Sequence, residues 1–100
     1  MNKQIKNEII QAFKEQMDIV KRTRKALEAH LLAIQDGKPE KEIQKRLHEY
    51  DAITRKGLEN ARKLDAFKLN NRRECLMAAM EMLAEKTKDL VQSIEKREAK

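Results

Sequence analysis

The sequence is poor in the residues that interrupt helices or staple small folds. Two glycines and one proline in 100 residues leave few places to turn the chain. A single cysteine excludes an internal disulfide framework and fits a reducing compartment. There is no tryptophan, and the only aromatic residues are Phe13, Tyr50 and Phe67, all on or near apolar stripes. A single-strand nucleic-acid binder wants exposed stacking rings instead. No apolar run approaches the roughly 18 residues of a transmembrane helix. The polar, basic stretch from Met1 to Asn7 is not followed by an apolar block of signal-peptide length. A cytoplasmic protein is the resulting expectation. Strand signals are missing as well: Asp36-Gly37 is a hairpin-like dipeptide, but helical periodicity lies on both sides of it.

Charge is what the chain has in excess. Charged residues make up 40% of it, against roughly 25% in an average soluble domain. The net charge of +6 favours acidic partners and opposes aggregation. Acids are mixed among the bases nearly everywhere, however, which reads as a solvated helical surface. Lys21-Arg22-Thr23-Arg24-Lys25 is a basic run only in linear sequence, because on a helix it wraps the whole circumference.

Periodicity then places three helices in one domain spanning residues 1–100. Helix 1 is predicted over about 3–35. Ile10, Phe13, Met17, Val20, Arg24, Leu27, Leu31 and Ile34 step by three and four. A second stripe of Ile5, Ile9, Ala12, Ile19, Ala26 and Ala33 lies beside it. The combined face is too wide for a two-stranded coiled-coil seam and suits a helix touching two neighbours. Asp36-Gly37-Lys38-Pro39 ends the helix, with Gly37 as a left-handed cap and Pro39 opening the next element. Helix 2, about 40–69, must then run back antiparallel. Its stripe is Ile43, Leu47, Tyr50, Thr54, Gly57, Ala61 and Leu64. The register across the turn sets Met17 against Gly57 and Phe13 against Ala61, large against small. It also predicts an Arg24–Asp51 pair.

Helix 3 is predicted over about 72–97. Asn71 is its N-cap, with Glu74 completing a capping box, and Asn70 is the candidate left-handed turn residue. The stripe Leu76, Met80, Leu83, Thr87, Leu90, Ile94 and the almost wholly apolar stretch from Cys75 to Ala84 mark this helix as the one the others wrap. Met80 is expected to be buried. The fold class is therefore an all-α, up-down-up three-helix bundle with long helices. The alternative is a helical hairpin whose second helix runs unbroken through Asn70-Asn71, which would require an obligate dimer.

Site chemistry is sparse. His30 and His48 lack the glutamate spacing of di-iron bundles and read as ordinary surface or boundary histidines. Cys75 follows Arg72 and Arg73 at a helix start, a setting that can activate a thiol, but a small buried core residue is the commoner role of a free cysteine. No nucleophile–base arrangement or glycine-rich phosphate loop is present. No catalytic residue, cofactor, metal ligand or small-molecule substrate is expected, which argues against an enzyme. The function read from the sequence is a non-enzymatic helical protein–protein interaction module: a small adaptor, assembly factor, chaperone or regulator. It would act through an apolar helix face, by self-association or through a protein partner, with Met77 and Met82 as the deciding residues. The alternative is a nucleic-acid-binding protein. Its basic pole would gather Lys3, Lys6, Lys68, Arg72 and Arg73, opposed mainly by Glu8 and Glu74, to contact phosphates or an acidic partner.

Overall fold

The computed structural model describes residues 3–98. Met1 and Asn2, which open the basic N-terminal stretch, lie outside the described residues, as do Ala99 and Lys100. The described chain is all-α: α1 (Lys3–Gln35), α2 (Glu40–Asn70) and α3 (Arg72–Glu98). Its helix contacts are those of a three-helix bundle in which α1 packs with both α2 and α3. No helix among the described residues is long and apolar enough to cross a membrane.

The first connection follows from its residues. Gly37 takes φ of 66°, a conformation that costs a residue with a Cβ but not glycine. The Lys38 amide donates to the Ala33 carbonyl (3.0 Å) and the Gly37 amide to Ile34 (3.1 Å). This crossed pair of bonds satisfies the last carbonyls of α1. Pro39 has no amide hydrogen to lose, and its carbonyl accepts from the Glu42 and Ile43 amides at 2.9 and 3.2 Å. Glu40 and Glu42 sit in the first turn of α2, where the helix dipole favours acids.

The second break differs from expectation. It is one residue long, at Asn71. The Asn71 amide donates to the Phe67 carbonyl at 2.7 Å, and the Cys75 amide to the Asn71 carbonyl at 2.9 Å. Four-residue bonding therefore runs into and out of Asn71, and no described residue other than glycine has positive φ. Asn70 is the last residue of α2 rather than a left-handed turn. Asn71 holds the cap position through its backbone, and an unbroken helix through this point is excluded.

The chain divides into two compact units: residues 1–11 with 66–100 form unit 1, and residues 12–65 form unit 2. In unit 2, α1 and α2 are antiparallel neighbours. Ala12, Ile19, Ala33, Gly57, Asn60 and Leu64 are buried there. The large-against-small rule holds, with a different partner from the one expected. Ile19 rather than Met17 sits on Gly57, and a Cβ added at Gly57 would meet the Ile19 Cγ2 at 3.1 Å. The alanine-rich stripe of α1 has turned inward, roughly a quarter turn from the stripe of larger residues. Met17, Val20, Leu27, Leu31 and Ile34 are left exposed. Small side chains let the backbones approach, and that closeness favours the alanine stripe. The expected Arg24–Asp51 pair does not form. With its stripe turned outward, the 82%-exposed Arg24 side chain bonds Glu28 one turn on, at 3.4 Å.

Candidate functional site

Unit 1 is built around Ile9 and Ala78, both completely buried. Cys75, Ala78 and Met82 recur at steps of three and four and form the inward face of α3, with Cys75 and Met82 half-buried beside Ala78. Lys6 on α1 reaches Glu81 on α3 at 2.9 Å. α3 thus packs through its small and flexible residues, not through the stripe expected to lie at the heart of the fold.

That stripe is on the outside. Leu76, Met80 and Leu83 are 61%, 65% and 67% exposed, and Leu90, Val91 and Ile94 are exposed with them. The expected burial of Met80 is overturned. The physical reason is that a stripe and its neighbour on one helix cannot both face the same partner. Ala78 offers the closer approach, so the larger side chains turn away. From Leu83 to Glu98 every described residue is exposed. The Thr87 hydroxyl donates to the Leu83 carbonyl at 2.9 Å, so the one polar residue on the stripe is satisfied within its own helix.

The two methionines set apart by their sequence fall on different faces. Met77 is exposed and flanks the outer stripe, while Met82 lies on the inward face. Lys3, Lys6, Lys68, Arg72 and Arg73 all fall in unit 1. Lys3, Lys68, Arg72 and Arg73 are exposed, whereas Lys6 is half-buried and engaged by Glu81. Glu81 was not among the acids expected to oppose these bases. Burial pushes the Cys75 thiol above its ordinary value; Lys68 pulls it down and Glu74 raises it further. This is the opposite of an activated cysteine. His48 is exposed, and His30 is half-buried with a buried Nδ1 that has no hydrogen-bond partner. No three His, Cys, Asp or Glu side chains among the described residues are placed to hold a metal ion.

Asn60 is the buried polar residue that periodicity missed. Its Nδ2 donates to the Ala12 carbonyl at 3.0 Å and to Gln16 Oε1 at 2.8 Å. The available signal was its place three residues after Gly57 and four before Leu64, on the inward face of α2. It ties α1 to α2 and carries no site chemistry.

No family model, curated protein or solved structure matches the chain.

Proposed function

We propose that the chain is a non-enzymatic helical interaction module, an adaptor, assembly factor, chaperone or regulator that presents the outer face of α3 to a protein partner. One observation carries this reading. Leu76, Met80, Leu83, Leu90 and Ile94 form an exposed apolar stripe on a helix that packs through a different face. Contiguous exposed apolar patches beyond a few hundred Å² are characteristic of interaction surfaces. The single thiol is in keeping with a cytoplasmic setting.

The test is co-purification from native cells of the tagged protein and of its Leu83→Glu/Leu90→Glu variant. Both positions are exposed, so the variant keeps its helical circular dichroism. The wild type is expected to retain a bound protein that the variant loses. Retention of the same proteins by both would overturn the reading.

A second reading, nucleic-acid binding, draws on the grouping of the five basic residues in unit 1. The engagement of Lys6 by Glu81 takes one cation out of that set. An Arg72→Glu/Arg73→Glu variant tests it: loss of a steeply salt-dependent affinity for a nucleic acid supports this reading, and indifference at low salt removes it.

A further inference from the structure

We propose that the partner of the α3 face is a second copy of the chain, joined through a parallel two-stranded coiled coil over residues 76–94. This rests on the interaction reading above and names the occupant of that same face.

The outer stripe repeats as heptads. Leu76, Leu83 and Leu90 occupy one core position, and Met80, Thr87 and Ile94 the other. Leucine at every second core position, with isoleucine at one of the three first positions, is in keeping with two parallel strands. Thr87 enters such a seam without a stranded hydroxyl, because it already bonds the Leu83 carbonyl. Cys75, Ala78 and Met82, the inward face of α3, stay outside the seam, so pairing leaves unit 1 undisturbed.

Charge favours a like partner on this helix over the other exposed stripe. α3 carries six bases and six acids and is neutral overall, so two α3 helices meet without net repulsion between them. The exposed stripe of α1 lies on a helix with seven bases and four acids and has the charged Arg24 in its middle. Two copies of that stripe would repel. Area is sufficient: at about 100 Å² for each of the five exposed apolar side chains of the seam, a symmetric pair covers on the order of 1,000 Å², the lower end of what a specific interface needs.

Sedimentation of the purified full chain over a concentration series tests the inference. The wild type is expected to reach twice the 11.8 kDa of one chain. Leu83→Glu/Leu90→Glu is expected to stay at single mass, and Val20→Glu/Leu31→Glu, on the α1 stripe, to dimerise as the wild type does. In a Cys75→Ser background, Thr87→Cys is expected to form a disulfide-linked dimer with oxidised glutathione, while Gln92→Cys, on the far side of α3, does not. A dimer broken by the α1 substitutions, or one lacking the Thr87→Cys cross-link, would overturn the parallel α3 seam. A wild type of single mass at every concentration would overturn the second copy as occupant. If the α3 variant nevertheless lost a bound protein from native cells, the interaction reading would stand without it.

Discussion

Unit 2 and unit 1 solve the same packing problem with different completeness. In unit 2, Ile19 sits on Gly57, Asn60 bonds across to Ala12 and Gln16, and Ala33 and Leu64 are buried along the same contact. In unit 1, Ile9 and Ala78 are fully buried, Lys6 reaches Glu81, and the rest of α3 from Leu83 onward is exposed. Both contacts set a bulky side chain against a small one, Ile19 on Gly57 in unit 2 and Ile9 with Ala78 in the core of unit 1. The difference is that unit 2 keeps half-buried or buried residues along most of its helix length, whereas in unit 1 every described residue of α3 from Leu83 onward is exposed, Leu83, Leu90, Val91 and Ile94 among them. Unit 2 thus supplies the closer packing, and the exposed face of α3 is the surface proposed above to take a partner.

Substitutions that overfill unit 2 should break this contrast most strongly. Gly57→Leu is expected to destabilise by about 2–3 kcal/mol in denaturant melts, since it drives a side chain into Ile19. Gly57→Ala is expected to stay within about 1 kcal/mol of wild type, its helix-propensity gain offset by the tight contact. A Gly57→Leu protein as stable as wild type would mean that the two helices are not closely packed. Next in size is Asn60→Ala, expected to cost about 1–2 kcal/mol by the same measurement through loss of two buried hydrogen bonds. In unit 1, Lys6→Ala removes an ion pair whose Glu81 side chain is half exposed, and the expected loss is below about 1 kcal/mol. An effect as large as that of Asn60→Ala would show unit 1 to be the tighter of the two.

The smallest effect concerns pH. Because burial raises the Cys75 thiol, the unfolded chain sheds this proton first as pH increases. Stability is therefore untouched below the ordinary thiol range and declines as pH climbs from that range towards the folded-state value. Alkaline melts of wild type and Cys75→Ala should diverge in this sense, and the folded thiol should react with iodoacetamide more slowly than the unfolded one.

Much of the fold was legible where local chemistry decides it. Gly37 and Pro39 end one helix and start the next for reasons internal to those residues, and the unbroken three-and-four periodicity identifies helices without help from tertiary contacts. What periodicity could not settle was which of two adjacent stripes turns inward. On α1 and α3 alike, the stripe of uniformly large residues looks like core by hydrophobicity, yet the inward face mixes Ala12, Ala33 and Ala78 with Ile9 and Ile19, so that small and large side chains interlock. A cross-helix partner for Arg24 requires its stripe to face inward; with that stripe facing out, Arg24 bonds Glu28 on its own helix. The place of the break at Asn71 follows from its capping residue, but its form does not. Asn70 does not supply a left-handed residue, and the backbone bonds on either side of Asn71 need none. Of the two candidate partner-binding methionines, Met77 lies at the outer face, whereas Met82 belongs to the inner one.

Amide hydrogen exchange followed against protein concentration tests most directly the claim that the outer face of α3 is left open by its own chain and closed by another copy. Amides from Leu83 to Ile94 should exchange rapidly in dilute solution and become protected as concentration rises, while those around Ile19, Gly57 and Asn60 stay equally protected throughout. Protection of Leu83–Ile94 that matched unit 2 and ignored concentration would contradict the account, because α3 would then be packed within a single chain.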